Sequence, residues 1–148
     1  MRKRALVAPW VRLVREPALT PLDGKRIRSP EDVYSLIRDR LATEEVEVFL
    51  LLALDSQCKV RAISEVSRGI LNSSLVHPRE VFRVAIALGA ASIIIVHNHP
   101  SGDSTPSAED RTITRNILAA GELLDIPLHG HVIVGSHFSS LATMGLLT

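Results

Sequence analysis

Between Val48 and Leu54 the chain reads Val-Phe-Leu-Leu-Leu-Ala-Leu, seven apolar residues without a polar interruption. A strand with one face in water alternates apolar and polar side chains, so an unbroken run fits a strand covered on both faces. A second run, Ala91 to Val96, has the same character. Two such strands need helices on both sides of their sheet, and the sequence supplies helix signals around them. Ser29-Pro30-Glu31-Asp32 is a helix start, with a Ser cap, Pro in the first turn and acids behind it. Val33, Leu36, Ile37 and Leu41 follow at helical spacing and predict a helix to about residue 43. Pro78 opens a second helix with Val81, Phe82, Ala85, Ile86 and Leu88 as its apolar face and Gly89 as its stop. Ser107 caps a third, with Asp110 completing a capping-box variant and Ile113, Ile117, Leu118 and Leu124 as the buried stripe. Lys59 to Val66 is predicted as the hairpin partner of the first run across Asp55-Ser56-Gln57, and His129 to Val134 as a further strand. Gly69 to Val76 reads as irregular or as a short strand. The element order predicts an α/β fold, a three-layer α-β-α sandwich with a mixed sheet, over residues 29–148.

Composition narrows the chemistry. A chain of 148 residues with 46% hydrophobic and 22% charged residues is an ordinary globular domain, neither disordered nor fibrous. Its single cysteine, Cys58, excludes a disulfide framework and any multi-cysteine metal site, and it reads as inert at a turn. Aromatics at 3% leave few rings for stacking on unpaired bases. No run approaches the roughly 20 apolar residues of a membrane span, and no signal-like stretch follows Arg2-Lys3-Arg4, so the expected location is cytoplasmic. Charge is uneven. Residues 1–28 hold eight Lys or Arg against two acids, a net +6, while residues 29–148 hold nine against fourteen, a net −5. Residues 1–28 therefore read as a basic arm, with a short edge strand near Trp10 to Val14. Such an arm is either solvated or a contact for nucleic acid.

The informative stretch is His97-Asn98-His99-Pro100-Ser101-Gly102-Asp103 and onward to Ser107 and Asp110. Two histidines at i and i+2 share one face of an extended chain. They close a buried strand, where ligand sites of α/β sheets gather. Asp110, in the first turn of the next helix, can return as a third ligand. Two His and one carboxylate leave a fourth position for water, the composition of a catalytic zinc site. Asp103 is an alternative ligand that reads more simply as a turn residue. The zinc deaminases share the layered architecture, but their H-x-E and P-C-x-x-C signature cannot be met with one cysteine. His77 reads as a capping or packing residue, His129 and His137 as surface residues, and His131 as a strand-opening residue that could face the site.

The pattern His97-x-His99, seven residues, Ser107-x-x-Asp110 resembles the JAMM motif of MPN-domain zinc metallopeptidases. The words Val76-His77-Pro78-Arg79-Glu80-Val81-Phe82 and His97 to Asp103 are similar to the RadC branch of that superfamily, over roughly residues 30–148. The resemblance implies one zinc per chain held by His97, His99 and Asp110. It implies Ser107 as donor to the oxyanion, Glu47 as general base, and a peptide or isopeptide-linked protein as substrate. Glu65 and Glu80 are rival bases. Two other readings stand beside this one: a nucleic-acid-associated accessory protein, and a metal-bound but inactive protein-binding module. Two departures from the RadC pattern are visible. The basic arm stands where relatives carry a helix–hairpin–helix-like region. Gly130-His131 stands where the family has Asp-His, so a carboxylate behind the ligands or facing the substrate is expected to be missing.

Overall fold

A computed structural model describes residues 24–69 and 76–147, so the strand read near Trp10 to Val14 and most of the Gly69 to Val76 segment lie outside the described residues. Among the described residues three helices, α1 (Pro30–Leu41), α2 (Pro78–Ala87) and α3 (Ala108–Leu124), surround a mixed sheet of five strands. The strands are β1 (Val48–Leu54), β2 (Val60–Arg68), β3 (Ser92–Asn98), β4 (Leu128–Val134) and β5 (Phe138–Ser140), in the spatial order β2-β1-β3-β4-β5. β3 and β4 run parallel across the α3 crossover, and the other neighbours are antiparallel.

The apolar runs become central strands because both of their faces are covered. Phe49, Leu51 and Ala53 of β1 and Ile93 and Ile95 of β3 pack with Val81, Phe82 and Ala85 of α2 and with Ile113 and Ile117 of α3. The alternate residues, Leu50, Leu52, Leu54, Ile94 and Val96, pack with Val33, Ile37 and Leu41 of α1. Every residue of β1 is buried, and each of its leucines contributes about 1.5–3 kcal/mol of burial. The expected three-layer sandwich is thus present, with α1 on one face and α2 and α3 on the other.

Local caps agree with the sequence. Ser29 accepts the Asp32 N–H, His77 accepts the Arg79 N–H through Nδ1, and the Ser107–Asp110 box is complete in both directions. β3 extends through His97 and Asn98, two residues beyond the predicted end, because both side chains find buried partners. β2 likewise runs to Arg68, whose guanidinium joins Glu44 and Glu65. β5 is an additional three-residue strand, too short to show alternation. Residues at the end of the expected arm are tied down: the Ile27 N–H donates to the Cys58 carbonyl at 2.9 Å and the Val60 N–H to that of Lys25 at 2.9 Å. Among the described residues no helix is long and apolar enough to cross a membrane.

Candidate metal centre

His97 is the last residue but one of the central strand β3, opposite Phe49 of β1 and Ile133 of β4, and its side chain is fully buried. The Phe49 ring stacks on its imidazole at 5.9 Å and 14°. His99 lies two residues on, on the same face, just past the strand. The loop that follows is held by the sheet. The His99 N–H donates to the Val134 carbonyl at 2.8 Å, Gly102 returns an N–H to the His99 carbonyl at 3.0 Å, and Ser136 donates to the Gly102 carbonyl at 2.8 Å. Gly102 adopts φ +91°, a conformation that glycine reaches without steric cost. The Asp103 carbonyl, 2.7 Å from His99 Nδ1, accepts that N–H and leaves Nε2 free to ligate.

The loop delivers the chain to α3, whose first turn carries Asp110. The capping box that starts the helix also orients this carboxylate: Ser107 N–H donates to Oδ2 at 2.8 Å while Ser107 Oγ accepts the Asp110 N–H at 3.0 Å. Asp110 Oδ1 lies 3.1 Å from His97 Nε2 and Oδ2 lies 3.2 Å from His99 Nε2. The two Nε2 atoms are 3.1 Å apart. Ligands at about 2.0–2.1 Å around a tetrahedral zinc stand roughly 3.3 Å from one another. The three side chains therefore already stand close to the edges of such a tetrahedron, and they fit a metal ion. Burial pushes the Asp110 carboxyl up, but the hydrogen bonds from His97 and His99, the charge of His97 and the Ser107 N–H more than reverse this. The group is held well below the usual carboxylate range and is ionised at neutral pH. The hydrogen bond to Asp110 raises His99 against the effect of burial, with the Asp103 carbonyl and the charges of Asp110 and Glu47 adding to it.

Behind His97 runs a chain of buried polar groups. His97 Nδ1 lies 2.8 Å from His131 Nε2, His131 Nδ1 lies 2.6 Å from Thr114 Oγ1, and Thr114 Oγ1 lies 2.7 Å from the Asp110 carbonyl oxygen. Complete burial, with the charge of His97 and His99 nearby, holds His131 well below the usual histidine range despite the pull of Asp110. His131 does face the site, one layer behind the ligands. Thr114 was not legible as a site residue; its signal is a hydroxyl one turn after Asp110 within an otherwise apolar stripe.

Asn98, between the two histidines, points to the opposite face. Its Oδ1 accepts the Val48 N–H at 2.6 Å and its Nδ2 donates to the Val46 carbonyl at 2.9 Å. It thereby clamps the backbone on either side of Glu47. Glu47 lines a cavity of about 280 Å³ together with His99, Ser107 and Asp110. The rival acids lie elsewhere: Glu65 forms an ion pair with Arg68 at 2.9 Å on β2, and Glu80 pairs with Arg83 at 3.0 Å on α2. Asp103 is exposed and spends its carboxylate on Thr105, as a turn residue does. His129 and His137 are exposed, and Cys58 occupies a turn with φ +59°. Gly130 corrects an expectation. It faces an apolar cavity of about 270 Å³ lined by Val33, Leu54 and Ile94, across the sheet from the metal ligands. A side chain there would not reach the centre, because His131 takes the metal-side position in the strand's alternation.

The RadC-like JAB domain family matches residues 27–146 of the chain. A UPF0758 protein of Desulforamulus reducens is 47% identical over 147 residues, covering 98% of this chain and 65% of its own length. Its counterparts in Syntrophomonas wolfei and Clostridium perfringens are each 47% identical, over 82% and 98% of this chain and 54% and 64% of their own. The chain spans less than two thirds of the length of these relatives.

Proposed function

The chain belongs to the RadC-like JAB domain family, and from that premise we propose that it is a zinc-dependent hydrolase cleaving an amide or isopeptide bond in a peptide or protein. One observation carries the reading: ligand atoms of His97, His99 and Asp110 converge within 4.8 Å, with Glu47 and Ser107 in the wall of the same cavity. Two imidazoles and one carboxylate favour zinc over magnesium or calcium, which take oxygen ligands. A zinc ion held there would lower the pKa of its water to about 7 and polarise the scissile carbonyl. Glu47 accepts the proton released in the attack and passes it to the departing amine. Ser107 Oγ takes the Asp110 N–H as acceptor, which leaves its own proton to donate to the developing oxyanion. A cleft of about 470 Å³ joins the centre at His99 and Pro100, with Tyr34 and Arg38 of α1 on its far wall, and offers the substrate a groove.

Elemental analysis of the purified protein should find about one zinc per chain, and His97→Ala with His99→Ala should remove it; full zinc in that double variant overturns the site. With a substrate selected from a peptide and isopeptide library, Glu47→Gln should keep zinc and fold while losing roughly two orders of magnitude or more in turnover. Full activity in Glu47→Gln together with an inactive Glu65→Gln would transfer the base to β2.

A further inference from the structure

The geometry points to His131 and Thr114 as positioning residues that fix the ligating tautomer of His97, through a relay whose direction is set by the backbone carbonyl of Asp110. The inference rests on the metal reading above, but its argument is one of hydrogen-bond direction. A carbonyl oxygen can only accept, so at 2.7 Å Thr114 Oγ1 must donate its single proton to the Asp110 carbonyl. The hydroxyl then has only lone pairs to offer, and His131 Nδ1, 2.6 Å away, must be the donor. With its proton on Nδ1, His131 presents a lone pair at Nε2. His97 Nδ1, at 2.8 Å, therefore carries the proton of that contact. When His97 ligates a metal as a neutral imidazole, its lone pair is then on Nε2, the nitrogen that stands 3.1 Å from Asp110 Oδ1. Each link leaves one direction, and the last puts a proton on His97 Nδ1 and so reserves Nε2 for a metal.

The relay also closes on itself. Asp110 supplies a side-chain ligand to the centre and, through its main chain, the terminus that orients the other buried ligand. β3, β4 and α3 each contribute one imidazole or hydroxyl, so the ligand geometry is coupled to the packing of α3 on the parallel pair. All the side chains involved are at most 2% exposed, so water has no access to substitute for a missing link. His99, 12% exposed at its side chain, takes its orientation separately, from the Asp103 carbonyl. Partners behind metal-bound histidines typically contribute 10–100-fold in affinity.

The test compares Thr114→Val with Thr114→Ser in the full chain. Valine keeps the shape and removes the hydroxyl; serine keeps the hydroxyl and removes a methyl. Zinc affinity is read by chelator competition, and histidine tautomers by long-range ¹H–¹⁵N correlation on the zinc-loaded protein. The expected result is 10–100-fold weaker zinc binding in Thr114→Val and binding within about threefold of wild type in Thr114→Ser. The spectra should show Nδ1–H on both His97 and His131 in wild type, and a loss of the Nδ1–H form of His131 in Thr114→Val. A packing role alone gives the opposite ranking, with serine worse than valine, and overturns the inference. So does a Thr114→Val protein with wild-type zinc affinity. If wild type itself takes up no zinc, the metal reading fails first and this one falls with it. Thermal melts of the metal-free variants show that each is folded before its affinity is compared.

Discussion

Replacing Gly135 by alanine tests whether the loop from His99 to Ser104 is a rigid part of the metal centre. Gly135 lies in the turn between β4 and β5. A Cβ there would stand 2.3 Å from the Gly102 carbonyl oxygen, 2.8 Å from its carbon and 3.0 Å from the Ser104 nitrogen. All three atoms are backbone, so no side chain can swing away. Real Cβ contacts below 3.0 Å essentially do not occur, and the shortfall from 2.3 Å means that the loop must retreat by ~0.7 Å or more. Asp103, between the two obstructed residues, carries the carbonyl that accepts from His99 Nδ1 at 2.7 Å. If the loop takes the displacement, that bond lengthens to about 3.4 Å, beyond the usual range. His99 then loses the contact that aims its Nε2, and zinc affinity should fall about 10–100-fold. The overpacking itself costs about 1–3 kcal/mol, which lowers the melting temperature of a domain this size by roughly 3–10 °C. Both quantities are measurable, one by competition against a fluorescent zinc chelator and the other by a metal-free melt. Gly130→Ala is the control, since its Cβ would meet only Ile94 of the neighbouring strand β3 at 3.8 and 3.9 Å, ordinary contact. Wild-type zinc affinity in Gly135→Ala would refute the reasoning, as would equal weakening in both variants.

Further perturbations test other links. Asn98→Ala removes the partners of the Val48 N–H and the Val46 carbonyl, at a cost of about 1–3 kcal/mol; turnover should fall more than zinc content, and unchanged turnover would show that the clamp does not position Glu47. Stripping zinc with a chelator should lower the melting point by on the order of 10 °C when the ion is in about thousandfold excess over its Kd; an unchanged melt contradicts a bound metal. Asp55 accepts the Lys59 and Gln57 N–H groups, and the Lys59 bond, opposed by slight desolvation and aided by Gln57, holds its carboxyl below the usual range. A carboxyl with a lower pKa folded than unfolded stabilises above the unfolded value and loses that contribution as pH falls through the folded one. The urea-midpoint gap between wild type and Asp55→Ala should therefore be widest at pH 7 and narrow progressively as pH falls below about 4, and a gap of unchanged size at about pH 2 would contradict the turn's charge dependence.

The sequence by itself determined the layers and the three candidate ligands. Strands β1 and β3 were legible because burial on both faces removes polar residues altogether, which leaves an unmistakable run. The three helix starts were legible because Ser29, His77 or Pro78, and Ser107 must satisfy orphan N–H groups with neighbouring atoms, a local requirement written in adjacent residues. His97, His99 and Asp110 were legible because two of them share a strand face and the third opens the next helix, so short spacing encodes their approach. What lies behind and beside them was decided by tertiary structure. His131 is 34 residues from His97, Thr114 reaches it from α3, and Asn98 grips residues 50 and 52 positions away. Such contacts depend on the parallel pairing of β3 with β4 and the register of β1 against β3, which no local spacing records. β5 and the close approach of Gly135 to Gly102 are of the same kind: a three-residue strand has no period to detect, and a missing side chain shows its purpose only when another backbone is seen to fill the space.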